Sequence, residues 1–121
     1  MIIDTSSILF GISFRKDAFE IAKRRFHGCT FLIPRGIVRE LDSISRNRGR
    51  KGAGARAALS LIRVKNLKVN SNNGSVDSWI ASTAARHNNI VVITNDTVLF
   101  KKVKPVNRNV FKLSKSGTLK Q

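Results

Sequence analysis

The stretch IVVITNDTVLF, Ile90 to Phe100, decides the fold. Ile90 to Thr94 are all apolar or β-branched, and five such residues suit a strand better than a helix. They do not alternate with polar residues, so both faces of the strand are expected to be covered. Asn95-Asp96 breaks the run, and Thr97 to Val103 reads as a short helix. A buried strand followed at once by a helix is the unit of a parallel α/β sheet. The residue at the junction is acidic, in a chain with 7 acidic and 23 basic residues. Parallel sheets hold their ligands at the carboxyl ends of strands, so Asp96 marks a candidate site.

Further strands and helices follow on either side. Met1 to Ile3 and the apolar residues after Asp4 indicate a strand from the first residue. Phe14, Ala18, Ile21, Ala22 and Phe26 recur at helical spacing, ending at Gly28. Cys29 to Ile33 reads as a strand stopped by Pro34, and Ile37, Val38, Leu41 and Ile44 mark an amphipathic helix from Arg35. Arg46 to Gly54 is a breaker stretch, and Ala55 to Arg63 returns to helix. Leu67 to Val69 is a short strand. The loop Ser71 to Ser75 ends in a capping serine before a helix from Val76 to His87. Asn109 to Leu113 is the last strand. The sum is an α/β protein, three layers α/β/α, with a mainly parallel central sheet of about five strands.

The 121 residues suit one domain. Residues 1–113 are assigned to it, and 114–121 to a basic tail expected to fray. The formal charge of +16 favours a polyanionic partner, nucleic acid first and an anionic membrane surface second. No apolar run approaches the ~20 residues a bilayer requires. With no signal sequence read and a single Cys29, a reducing, cytoplasmic setting is expected. The glycosylation-like triplets at Asn73 and Asn95 are read as chance matches.

Asp96 has company. Asp4 follows Met1-Ile2-Ile3 at another strand end, and Asp77 stands in the first turn of a helix, at the same edge of the sheet. On a helical wheel Glu40 borders the apolar face set by Ile37, Leu41 and Ile44. Asp42 borders it on the other side, and the wheel does not choose between them. Each acid has an ordinary explanation: a turn or cap at Asp96, a helix-dipole partner at Asp77, a turn at Asp4, a solvated surface residue at Glu40. Four carboxylates converging would repel one another unless a hard cation lay among them. Such oxygen donors suit Mg2+ or Mn2+, which can activate water against a phosphodiester.

With these residues placed, the sequence resembles the PIN domain family. Ile3-Asp4-Thr5-Ser6, Pro34, Glu40-Leu41, Asp77-Ser-Trp-Ile80 with Ala84, and Val92-Ile-Thr-Asn-Asp96 with Leu99 match it in order and spacing over nearly the whole chain. The resemblance implies a metal-dependent ribonuclease using Mg2+ or Mn2+. It makes Asp4, Glu40, Asp77 and Asp96 the catalytic, metal-holding set, with Ser6, Thr94 and Asn95 in support, and it selects Glu40 over Asp42. Ala53 to Ile62 and Val110 to Ser114 are similar to single-domain archaeal PIN proteins, which resemble eukaryotic PIN proteins of pre-ribosomal RNA processing. Ser78 stands where many relatives carry a second Asp, and Ser6 where Asn is also common. The first departure removes one carboxylate from a second metal's ligand set. The resemblance also implies a homodimer.

Arg46, Arg48, Arg50, Lys51 and Arg56 bracket three glycines and are candidate phosphate contacts. No aromatic residue lies among them for base stacking. No P-loop spacing, paired Cys/His ligands or Ser-His-Asp arrangement is present, which sets aside a nucleotide-phosphate loop, a zinc site and a serine hydrolase. His87 is assigned to a helix C-terminus, and Trp79 to the core. Two alternatives stand beside a ribonuclease acting in rRNA processing. One is a non-catalytic RNA-binding ribosome-assembly factor; the other is a toxin ribonuclease paired with an acidic antitoxin.

Overall fold

Ile2 and Ile3 form strand β1, and their side chains go to opposite faces of the sheet, as strand geometry requires. Each next strand repeats this division. Ile2, Val92 and Val110 belong to one apolar cluster, whereas Ile3, Ile93, Phe111 and Leu113 belong to the other. The structure, a computed structural model, describes residues 1–72 and 74–121. The Asn73 triplet therefore lies outside the described residues.

The elements run β1 (Ile2–Ile3), α1 (Thr5–Ser13), α2 (Ala18–Arg25), β2 (Ile33–Pro34), α3 (Arg35–Ser45), α4 (Gly49–Val64), β3 (Val69–Asn70), α5 (Val76–Arg86), β4 (Val92–Ile93), α6 (Thr97–Val103), β5 (Val110–Leu113) and β6 (Leu119–Lys120). Four strands pair in the order β1-β4-β5-β6, and β2 pairs with β3. All pairings are parallel except β5 with β6. The Leu32 N–H donates to the Met1 carbonyl at 2.8 Å, tying the segment before β2 to β1. Ile80, Ala84, Leu99, Phe100 and Val103 of α5 and α6 cover one face. Ile8, Phe19, Ala22, Ile37, Leu41, Ala55, Ala58 and Ile62 of α1 to α4 cover the other. This is the expected three-layer α/β/α arrangement, with parallel strands buried on both faces.

Three local expectations need correction. The apolar residues after Asp4 are helix α1, not a continued strand, and helix α2 begins only at Ala18. In α1, Ile8 is buried and Leu9, Phe10 and Ile12 are half-buried, so apolar residues surround most of the helix. No narrow stripe marks its period. The breaker stretch ends early, because α4 starts at Gly49. Gly49 takes φ +78° at that turn, and a Cβ on Gly52 would collide with the Asn47 carbonyl, so two of its glycines close a tight helix hairpin. The tail is also held. Leu119 is buried and pairs with Leu113, making a sixth strand at the sheet edge. No helix among the described residues is long and apolar enough to cross a membrane.

Candidate functional site

Asp4 and Asp96 end adjacent parallel strands. The Asp4 N–H donates to the Ile93 carbonyl at 2.9 Å, fixing β1 against β4 at their carboxyl ends. Asp4 occupies the N-cap position of α1, yet its side chain caps nothing. Its Oδ2 instead accepts from the Ser6 hydroxyl at 2.8 Å and the Thr94 hydroxyl at 3.0 Å. Two donors on one oxygen orient the carboxylate and leave the other oxygen for a ligand. Asp4 is only 5% exposed, so this anion is held in place rather than solvated.

The supporting residues form one network. Thr94 Oγ1 also accepts from the Asp96 N–H at 3.1 Å, and Ser6 Oγ accepts from the Asn95 N–H at 3.0 Å. Asn95 Oδ1 accepts from the Ser7 hydroxyl at 2.6 Å and the Leu113 N–H at 3.1 Å, while its amide donates to the Leu113 carbonyl at 2.9 Å. The chain after β4 is thereby fastened to α1 on one side and β5 on the other. Ser6, Thr94 and Asn95, named from the sequence, meet here; Ser7 joins them and was not named.

Asp96 caps α6. Its Oδ1 accepts from the N–H groups of Val98 at 2.8 Å and Leu99 at 3.2 Å. The ordinary explanation of this residue is thus true of one oxygen. Asp77 stands in the first turn of α5, whose cap is supplied by Ser75 accepting from the Ser78 N–H at 3.2 Å. Glu40 is exposed on α3, at the border of its buried face, and accepts a long bond of 3.3 Å from the Thr5 hydroxyl. Asp42 instead pairs with Arg46 at 3.0 Å on the surface. Asp42 is thus engaged in an ion pair, whereas Glu40 is bonded only to a hydroxyl.

Glu40 and Asp77 both sense the acids around them. Burial is the largest influence raising the Glu40 carboxyl above its ordinary range, and the charge of Asp4 comes next; Asp77 and Asp96 add to it, against the Thr5 hydrogen bond. Asp77 is raised by burial, then by Asp4 and Asp96, while Lys102 draws it down. The ion pairs found among the described residues engage Glu20, Asp42 and Asp17, and none engages these four. No three His, Cys, Asp or Glu side chains among the described residues close into a ready-made metal cage. The donor set nonetheless fits a hard divalent cation: it is all oxygen, and none of it is taken up by an ion pair among the described residues. Mg2+ keeps several of its waters, so the carboxylates need not all touch the ion.

The basic stretch is more structured than expected. Arg46 pairs with Asp42 at the end of α3, and Arg56 of α4 donates to the Ser45 carbonyl at 2.6 Å, clasping the α3–α4 hairpin. Arg48 takes the N-cap position of α4. Arg50 and Lys51 line a cleft of about 530 Å³ with Leu9, Ile12, Ala53 and Gly54.

A buried parallel sheet with acidic residues at its strand ends defines an α/β protein with a candidate acidic site at the carboxyl edge of the sheet. The chain belongs to the PIN-like domain family, whose model matches residues 1–116. The PIN domain endonuclease Utp24 is similar in structure, with a TM-score of 0.78 and 19% identity over 98% of this chain and 88% of that one. A domain of a functionally unknown protein from Methanocaldococcus jannaschii also matches, with a TM-score of 0.65 and 18% identity over 93% of this chain and 89% of that one. At these identities the likeness establishes the fold. No curated protein sequence matches the chain.

Proposed function

We propose that this protein is a divalent-metal-dependent ribonuclease that hydrolyses RNA phosphodiester bonds. The carrying observation is geometric: Thr94 Oγ1 donates to Asp4 and accepts from the Asp96 N–H, holding these two acids at neighbouring strand ends, with Ser6 also aiming Asp4; Glu40 and Asp77 are each raised in part by acids of this set. The description of the structural neighbour as an endonuclease supports the reaction class. Asp4, Asp77 and Asp96 would hold Mg2+ or Mn2+, and Glu40 would hold the ion or its water. Such an ion, when bound, supplies charge neutralisation at the phosphate and a more acidic water.

The rest of the chemistry belongs to the chain. Asp4 presents a fixed oxygen because two hydroxyls hold its partner. Asp96 divides its carboxylate, one oxygen fixing α6 and the other free for the site. Glu40 and Asp77 are raised by burial and by their acidic neighbours, so their charged forms are disfavoured until a cation offsets the repulsion. The +16 charge draws an RNA polyanion towards a negative centre that would otherwise repel it. The resemblance to pre-ribosomal RNA processing proteins favours RNA, single-stranded or structured, as the substrate, and the lone Cys29 suits a reducing, cytoplasmic setting. A homodimer and an acidic antitoxin remain parts of the resemblance rather than of the site.

Cleavage of labelled single-stranded RNA in Mn2+, with EDTA as control, tests the reading. Metal-dependent cleavage lost in Asp96→Asn is expected. Binding without cleavage by the wild type would replace the nuclease with an RNA-binding assembly factor.

A further inference from the structure

We infer that the RNA strand leaves the site over α6 and the β5–β6 edge, where Lys104, Lys112 and Lys120 bind its phosphates; this rests on the ribonuclease reading. The α3–α4 hairpin named from the sequence is not the main track. Asp96, Phe100 and Lys104 succeed one another at four-residue intervals, each amide bonded to the carbonyl one turn before, at 2.9 and 3.0 Å. They therefore lie in one row on α6. The row starts at a site carboxylate and ends at a lysine roughly 12 Å farther along the helix.

A second observation comes from the sheet. Lys112 Nζ lies 4.9 Å from the centre of the Phe100 ring, and Lys104 Nζ lies 5.4 Å from it. Two ammonium groups share one aromatic ring. Lys112 also stands directly across from Lys120 in the antiparallel β5–β6 pair. Like charges directly opposite in a sheet are destabilising. No carboxylate among the described residues pairs with any of the three. The fold accepts this repulsion next to its most acidic region, and a phosphate backbone passing there would relieve it. Lys102, close enough to influence Asp77, lies on the same helix. An acidic protein would be drawn by the same charge, but a row that begins at the proposed site favours the substrate.

The test measures binding of a fluorescein-labelled single-stranded RNA in EDTA, across a salt series. Glutamine replaces the three lysines, because it keeps much of the aliphatic stem over Phe100. Lys104→Gln with Lys112→Gln and Lys120→Gln should lower the slope of log K against log salt by about 2, at about 0.7 per lost single-strand contact. Arg48→Gln with Arg50→Gln and Lys51→Gln should change it less. The lysine variant should also melt no lower than wild type at low salt without RNA, because a repulsion has been removed. An unchanged slope in a folded lysine variant overturns the track and leaves an acidic protein as its occupant. Should the triple variant unfold, Lys120→Gln on the exposed edge residue carries the test, and an unchanged slope there overturns it equally. Asp96→Asn separates the two ideas. Its loss of cleavage alongside an unchanged lysine slope sinks the track alone. Undiminished cleavage by Asp96→Asn, with the lysine slope reduced, sinks the nuclease site and leaves the track as an RNA-binding surface.

Discussion

Thr94 Oγ1 donates to Asp4 Oδ2 at 3.0 Å, although 90 residues separate them in the chain. Thr94 Oγ1 in turn accepts from the Asp96 N–H at 3.1 Å. One buried hydroxyl therefore sets the position of two site carboxylates. Thr94→Val keeps the shape and removes both bonds. It should cost about 1–3 kcal/mol of stability, because buried polar groups lose their partners. It should also lower cleavage well beyond what the lost stability explains, with Thr94→Ser restoring much of both. Denaturant midpoints and cleavage rates check this. A Thr94→Val protein that cleaves like wild type would leave Thr94 with a structural role only.

Asp96 has two separable duties. Its Oδ1 caps α6, and asparagine is about as good an N-cap as aspartate. Asp96→Asn should therefore melt near the wild-type temperature while losing metal-dependent cleavage. Asp96→Ala should lose the cleavage and also about 0.5–2 kcal/mol of stability. Equal cleavage by wild type and Asp96→Asn in Mn2+ would remove this carboxylate from the chemistry.

Acid should relieve the metal-free site. The Glu40 carboxyl is raised from an ordinary value of 4.5, so the folded state binds its proton more tightly than the unfolded state does. Its contribution falls as pH rises from 4.5 through the raised folded value, and the full penalty remains at neutral pH. Asp77 acts in the same direction. Glu20, held below its ordinary value chiefly by its hydrogen bond to Lys65, acts in the opposite one. Comparison with Glu40→Gln cancels Glu20 and isolates the site. In EDTA, the stability advantage of Glu40→Gln over wild type should shrink as pH falls from 7 towards 4.5. A constant difference in melting midpoint over that range would contradict the assignment.

A bound cation should reverse the repulsion among the acids. An ion that binds only the folded state stabilises it by about 2.7 kcal/mol at a hundredfold excess over its dissociation constant. For a chain of this size that corresponds to a rise of roughly 5–20 °C in melting midpoint. Asp4→Asn should reduce the rise in Mn2+ and melt no lower than wild type in EDTA. A wild-type midpoint unmoved by millimolar Mn2+, together with a destabilised Asp4→Asn, would make these acids structural.

What the sequence determined rests on local patterns. The unbroken apolar run Ile90 to Thr94 and the pair Ile2-Ile3 announce strands covered on both faces, and the helices between them require a largely parallel sheet. Strand ends carry Asp4 and Asp96 to one edge because that topology leaves no other place for them. Tertiary structure decided the remainder. The sequence around Thr5 to Ile12 has no narrow stripe, since most of that helix is packed, and only the body of the protein reveals its period. Glu40 and Asp42 lie on opposite borders of one helix; the fold brings the Thr5 hydroxyl to the first and leaves the second to pair with Arg46. Leu119 is an isolated apolar residue in a basic tail, and its strand exists because β5 offers it a partner. Lys104, Lys112 and Lys120 are scattered among 23 basic residues. Helix packing brings Lys104 and Lys112 to Phe100, and strand register sets Lys120 opposite Lys112.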